Sequence, residues 1–375
     1  MKLLMISGDI DLVRGIDGAF FNTLSGFHKY WERIDIICPY VKEARRLSLF
    51  GNVFLHPLPW GRVIAPFFIL KRGISIVNQS KPDLIIAHAY GFQLMSIGAW
   101  LLAGKTGLPL VLEVMHMGGH PRAASFREWL EKIISKLFIS FMASRADAFR
   151  VVNKADSYPL LISLGVPPEK IKLIYAFYID QKIFNNQTNQ DKKFDLIFVG
   201  RLAANKNLPL LLNTFQKVAE EIPQVSLVIV GSGPLENWLK RQIILIKNVN
   251  YFRFLPALKD VADLYRQSRI VVCCSMAEGG PRFVVEAMAC GLPAVSTPVG
   301  LMKEIIKDGE NGFLAGNWSE ENMARSIINL LRSPELYKKC SENAIGTVAG
   351  FEYQKTISQY ALAYQKLIEE LRNKK

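Results

Sequence analysis

The chain has 375 residues, half of them hydrophobic and 21% charged, with a formal net charge of +13 at pH 7. At roughly 100–200 residues per domain, that length implies two domains, and the composition excludes disordered and fibrous proteins. The positive excess is spread along the chain, with 22 Lys/Arg against 14 Asp/Glu in residues 1–188 and 24 against 19 beyond. It favours anionic partners such as nucleotides, sugar phosphates or an acidic membrane surface. No Lys/Arg run or aromatic-interleaved basic stripe points to nucleic acid.

In chain order, Lys2 precedes only a short apolar run, Leu3–Ile6, too short for a secretion signal and suited to a first strand. Ile34–Cys38, Leu84–Ala87, Leu110–Val114 and Phe149–Val152 read as further strands, and Phe20–Tyr30, Gln93–Ala103 and Phe126–Ser144 as helices among them. This βαβ alternation implies a parallel sheet covered on both faces. The apolar-basic segment Trp60–Arg72, which includes Arg62, Lys71 and Arg72, reads as a packed helix, with docking on an anionic membrane surface as the alternative. Leu84–Gly104 lacks Asp, Glu, Lys and Arg over 21 residues, long enough to span a bilayer. Its Gly91, Gln93 and Gly98, with Pro82-Asp83 before it, instead predict strand, turn and buried helix.

The polar run Asn185–Lys193 reads as a linker, after which the same rhythm restarts. Strands are expected at Asp195–Val199, Leu227–Val230, Tyr251–Phe254, Ile270–Cys273 and Ala294–Ser296. Helical spacing of Ile357, Tyr360, Leu367 and Leu371 predicts a long closing helix. The expected domains are 1–188, joined by the closing helix within 351–375, and 189–350. The five cysteines form no CxxC pair, which fits a reducing cytoplasm rather than a disulfide framework.

Two segments concentrate the chemistry. After the strand ending at Cys273 comes a Gly279-Gly280-Pro281 loop, and a helix is expected to start near Pro281–Arg282 and stop at Gly291. Backbone amides of Gly279–Phe283 at a helix N-terminus offer an anion site. Glu278 and Glu286 flank it, and carboxylates accept hydrogen bonds from sugar hydroxyls. In the second segment, a strand ends at Gly200, and Arg201 and Lys206 follow in the loop. Both cations fall at the carboxyl edge of a sheet, where ligands of open α/β folds bind.

VGRL with Lys206-Asn207, GSGPL (Gly231–Leu235), EGGPRFVVEAMACGLPAV, DGENGFL (Asp308–Leu314) and LGVPPEKI (Leu164–Ile171) follow one another in an order that resembles glycosyltransferase family 4. The resemblance implies an α/β GT-B fold, two Rossmann-like doubly wound parallel-sheet domains facing a cleft, and a retaining, metal-independent sugar transfer. By position it implies that Arg201 and Lys206 neutralise a donor diphosphate, and that Glu286 binds the ribose and Glu278 the transferred sugar. Gly15, Gly200, Gly280, Pro281, Arg282 and Phe283 would line the donor, and His116 would face its sugar. The implied partners are a nucleotide-diphosphate-sugar, a glycan or lipid-linked acceptor and an anionic membrane surface, with no cofactor, no metal and no nucleic acid.

The chain departs from the family at three places. Arg14-Gly15-Ile16-Asp17-Gly18 replaces paired glycines, Tyr175-Ala-Phe-Tyr178 replaces an Asn-Gly, and Leu255 replaces a glycine. Asp9-Ile10-Asp11 matches the metal-binding DxD pattern, but two carboxylates alone make a poor metal cage. A nucleotide-sugar epimerase on the same fold, or a non-catalytic nucleotide-sugar-binding or partner subunit, are the alternative readings. A dehydrogenase is disfavoured because no GxGxxG follows either first strand.

Overall fold

A computed structural model describes residues 1–175, 177–186, 191–253 and 258–373. The chain divides into two compact units: Met1–Gly118, Leu130–Ala176 and Gln354–Lys375 in the first, Gly119–Trp129 and Phe177–Tyr353 in the second. Parts of the expected linker (187–190), of the Tyr175–Tyr178 substitution (Ala176) and of the Tyr251–Phe254 strand (Phe254), together with Leu255, lie outside the described residues.

The first unit is built on eight strands: β1 (Lys2–Ile6), β2 (Arg33–Cys38), β3 (Ser48–Leu49), β4 (Val53–Pro57), β5 (Leu84–His88), β6 (Leu110–Val114), β7 (Ala148–Val151) and β8 (Ile171–Leu173). Their order is β3-β4-β2-β1-β5-β6-β7-β8, and β3 pairs antiparallel with β4 while the other pairs are parallel. The central strands form where apolar runs predict them, and they read as continuous Leu, Ile and Val because both faces are covered. The strands β3, β4 and β8 were not expected. The edge strands β3 and β8 are two and three residues long, too short to show a period, and their partners define them.

Helices Ala65–Ser80, Leu94–Thr106 and Phe126–Met142 lie over one sheet face, contributing Ile69, Ala99, Leu102, Phe138 and Ile139 to the core. The first two approach closely: a Cβ on Gly73 would lie 2.3 Å from Leu102 and one on Gly98 2.8 Å from Ile69. The uncharged run Leu84–Gly104 thus divides into β5 and a buried helix. Among the described residues no helix is long and apolar enough to cross a membrane. Arg72 turns back toward the fold, its Nη2 lying 3.1 Å from His56 Nδ1.

The helix Tyr353–Arg372 closes this unit through a buried polar cluster. Arg150 Nη1 (2.6 Å), Tyr360 Oη (3.0 Å) and Tyr364 Oη (2.5 Å) all donate to Glu113 Oε1, and His88 Nε2 lies 2.9 Å from Oε2. Burial alone would raise the Glu113 carboxyl, but the Arg150 and His88 charges and these hydrogen bonds hold it well below the usual range. One carboxylate from β6 therefore ties β5, β7 and the last helix together.

The second unit has six parallel strands: β9 (Phe194–Val199), β10 (Leu227–Val230), β11 (Val249–Phe252), β12 (Ser268–Cys273), β13 (Ala294–Ser296) and β14 (Gly312–Leu314), in the order β11-β10-β9-β12-β13-β14. Helices Leu208–Glu221 and Glu320–Arg332 share a core over it through Leu211, Phe215, Met323 and Ile327. Gly119–Trp129 groups with this unit, although the sequence reading assigns it to the first domain. It is anchored where the Arg122 amide donates to the Met276 carbonyl at 3.4 Å and the Arg122 guanidinium lies 5.6 Å from the Trp318 ring centroid.

Glu113→Gln leaves buried Arg150 without its counter-charge and is expected to cost about 3 kcal/mol, read as an earlier urea transition by circular dichroism. Asp17→Asn, which breaks the exposed Arg46–Asp17 pair at 2.8 Å, is expected to cost under about 1 kcal/mol in the same assay.

Candidate functional site

In the second sheet β9, β10 and β11 run to one side and β12, β13 and β14 to the other, so the order reverses between β9 and β12. Loops leaving the carboxyl ends of such a pair of strands form the ligand crevice of open α/β sheets. Both chemistry-bearing segments of the sequence leave from this point.

The loop after β9 is held by backbone. The Gly200 amide donates to Val230 O at 2.9 Å and Leu202 N to Ser232 O at 2.8 Å. The next loop comes so near that a Cβ on Gly231 would lie 2.0 Å from Gly200 O, so only glycine fits there. Arg201 is exposed, and no side-chain partner reaches its guanidinium among the described residues. A 3-10 turn, Ala204–Lys206, leads through Asn207 at φ 51 into helix Leu208–Glu221 and turns Lys206 toward the neighbouring loop.

The loop after β12 receives it. Lys206 Nζ donates to Glu278 Oε1, and Ser275 Oγ donates to the same oxygen at 3.2 Å. Both use Oε1, and no hydrogen bond reaches Oε2 among the described residues. The Met276 amide donates to Asn205 O at 2.8 Å, so the two loops are tied through main chain as well. Ser275 is fixed in turn, its carbonyl accepting from Thr297 Oγ1 at 2.7 Å and Trp318 Nε1 at 2.8 Å. Lys206 Nζ also lies 5.4 Å from the Phe283 ring centroid.

Helix Arg282–Ala289 starts at Pro281 with no side-chain cap, so a positive helix end faces this same loop. Phe177 covers Gly280, where a Cβ would lie 2.3 Å from its ring. The Arg282 guanidinium lies 4.2 Å from the Tyr178 ring centroid. One helical turn on, Glu286 is half-buried, and no hydrogen bond or ion pair reaches it among the described residues. Burial pushes its carboxyl up to about 7, and nearby Arg282 only partly offsets this. The Tyr265 hydroxyl is buried with no hydrogen-bond partner among the described residues, and the Glu286 charge adds to the burial that raises it.

Lys206, Glu278, Gly280, Pro281, Arg282, Phe283, Gly200, Arg201 and Glu286 thus gather at one sheet edge. His116 and Gly15 belong to the first unit. His116 is exposed in the loop after β6, and Gly15 ends the short helix Asp11–Arg14 in a left-handed conformation, φ 78. Part of the expected Arg14–Gly18 loop is therefore helical. Asp9 Oδ1 is occupied in capping, accepting from Asp11 N at 2.9 Å and Leu12 N at 3.0 Å. Ser275, Tyr265 and the Phe177–Tyr178 cover escape a reading of the sequence alone, because each acts through a partner distant in the chain.

The fold is that of a two-unit Rossmann-like protein of the GT-B type, with two cations, an uncapped helix start and two carboxylates at one edge of its second sheet. Residues 179–347 match the family described as glycosyl transferases group 1. That stretch lies within the second unit, and the match agrees with the sequence resemblance at the level of this group. An uncharacterised glycosyltransferase of Methanocaldococcus jannaschii is 27% identical over 95% of this chain and 98% of its own length. The N-acetyl-alpha-D-glucosaminyl L-malate synthase of Bacillus anthracis is 28% identical over 56% of this chain and 57% of its own. Among solved structures, sucrose-phosphate synthase from Thermosynechococcus elongatus aligns with TM-score 0.80 at 17% identity, over 99% of this chain and 100% of that one. HepE of Anabaena, solved with UDP-glucose, aligns with TM-score 0.75 at 19% identity, over 98% of this chain and 100% of that one.

The Glu286 carboxyl, held near 7 against an ordinary 4.5, stabilises the fold most below about pH 4.5, and that contribution is lost as pH rises through about 7. Ligand hydroxyls favour the ionised form. UDP affinity, followed by calorimetry, is expected to strengthen by roughly tenfold between about pH 6 and pH 8, and Glu286→Gln to flatten the profile.

Proposed function

We propose that this chain is a retaining, metal-independent member of glycosyltransferase family 4 that moves a sugar from a nucleotide-diphosphate-sugar to a glycan or lipid-linked acceptor. The work is that of cell-surface polysaccharide or glycolipid synthesis at the cytoplasmic face of a membrane. One observation carries the reading: Lys206, locked to Glu278 at the β9/β12 edge beside exposed Arg201 and the uncapped helix at Pro281.

Breaking a sugar–phosphate bond leaves an electron-poor sugar and a diphosphate of increased negative charge. Lys206, Arg201 and the helix amides are positioned for that diphosphate, where preorganised positive charge lowers the barrier as the leaving group develops. Glu278 keeps Oε2 for sugar hydroxyls while Oε1 steadies Lys206, and Glu286 serves the ribose. The proposal includes no side-chain nucleophile; the acceptor attacks from the leaving-group face and the departing phosphate takes its proton. HepE, solved with UDP and with UDP-glucose, and the N-acetyl-alpha-D-glucosaminyl L-malate synthase support a nucleotide-sugar donor by similarity.

A screen of UDP-, GDP- and ADP-sugars, scored by nucleotide diphosphate release, is expected to find one donor used in the presence of EDTA. Lys206→Ala and Arg201→Ala should each cut turnover by about 10²–10³. Anomeric NMR of the product should show retained configuration. Near-normal rates in both variants would remove the donor assignment, an epimerised free donor would identify the epimerase, and binding without turnover would identify the non-catalytic subunit.

A further inference from the structure

The peptide unit between Ser275 and Met276 is held at both of its ends. Its carbonyl, that of Ser275, accepts from Thr297 Oγ1 at 2.7 Å and from Trp318 Nε1 at 2.8 Å. Its amide, that of Met276, donates to Asn205 O at 2.8 Å. A peptide unit is planar, so its C=O and N–H turn together. The three bonds come from loops that follow three different strands: Asn205 after β9, Thr297 after β13 and Trp318 after β14.

Both members of the central ion pair hang on this plane. Asn205 directly precedes Lys206 in the chain. Ser275 Oγ donates to Glu278 Oε1 at 3.2 Å, the oxygen that also takes Lys206 Nζ. Turning the plane would therefore draw the Asn205 carbonyl and the Ser275 hydroxyl away together, and with them the register of the lysine against the carboxylate.

Trp318 reaches the plane through a strained backbone. Asn317 and Trp318 stand at φ 57 and φ 53, two successive left-handed residues without a glycine. Asparagine tolerates that region, whereas a bulky ring there is an outlier that persists only where its surroundings over-determine it. They do so here. The strand β14 ends at Leu314 just before, and Ser319 just after caps helix Glu320–Arg332, its Oγ accepting from Asn322 N at 3.2 Å. Met323 and Ile327 fix that helix in the core. Over the indole lies the Arg122 guanidinium, 5.6 Å from the ring centroid, and the Arg122 amide donates to the Met276 carbonyl at 3.4 Å. Packing alone asks for an apolar ring of any kind; the bond to Ser275 asks for an indole N–H.

We propose that Trp318 is a positioning residue of the transfer site: its indole N–H pins the Ser275–Met276 plane and so sets Lys206 against Glu278. Trp318 acts through that plane and not on the donor. Its purpose rests on the reading of Lys206 and Glu278 as the donor pair, whereas the pinning itself is a property of the free protein and is tested without ligand.

Hydrogen–deuterium exchange of the ligand-free protein, read by mass spectrometry on overlapping peptides across residues 274–278, is compared for wild type and Trp318→Phe, which keeps a ring and removes the donor. Exchange at the Met276 amide is expected to speed up by about tenfold while β9, β10 and β12 stay as protected as before. Thr297→Val, which removes the other donor to the same carbonyl, should have the same local effect. In the donor assay Trp318→Phe should lower kcat by about tenfold and change the KM for the nucleotide-sugar by less than about twofold. A loss of folded protein would multiply with any second substitution. Positioning through Lys206 does not: in a Lys206→Ala background, Trp318→Phe should lower kcat by less than about twofold further.

Unchanged exchange at Met276 in Trp318→Phe, or exchange that rises across the whole second unit, overturns the proposal. So does a normal kcat in Trp318→Phe, or a full tenfold loss on top of Lys206→Ala. Wild-type protein that turns over no donor removes the enzymatic reading, and the exchange at Met276 then decides the pinning by itself.

Discussion

A lysine and a glutamate far apart in the chain hold two loops at one point of the second sheet. Lys206 leaves β9 and Glu278 leaves β12, and their ion pair forms where the strand order reverses. The pair is only partly exposed, so its two charges are less screened than a surface pair and each fixes the other's rotamer. The main-chain bond from Met276 to Asn205 makes the same junction from below. Without this tie the uncapped helix start, exposed Arg201 and the acidic loop would be three separate features of a parallel sheet.

The two carboxylates of the site are placed in opposite electrostatic settings. Glu278 takes a cation and a hydroxyl on one oxygen, while Glu286 has burial and the charge of Arg282 one helical turn away. Unequal settings distinguish two acids of the same chemical type, and burial brings Glu286 close to its titration point at neutral pH. The aromatic cover from Phe177 and Tyr178 adds rigidity to the glycine loop, because Gly280 has no side chain and the ring fills that space.

The first unit solves a different problem. Its closing helix has to be held to a sheet that begins at the other end of the chain, and the buried Glu113 cluster does this with four partners at once. Both oxygens of that carboxylate are engaged, three donors on Oε1 and His88 at Oε2, so the buried charge is paired as well as hydrogen-bonded.

The sequence by itself determined the alternation of strands and helices. Buried parallel strands are unbroken apolar runs, and glycine, proline and polar clusters mark where they stop, all of which is local information. It also brought Arg201, Lys206, Glu278, Glu286 and the Gly280–Phe283 loop into view, since each sits just beyond a legible strand or within the helix that follows. Only the tertiary structure decided the short edge strands β3 and β8, the membership of Gly119–Trp129 in the second unit, and the partners of each charge. Ser275 bonding Glu278, Phe177 covering Gly280 and the Tyr360–Tyr364 grip on Glu113 join residues that no local period relates. The physical reason is that periodicity records which face of an element is buried, whereas the pairing of polar groups depends on which distant element arrives against it.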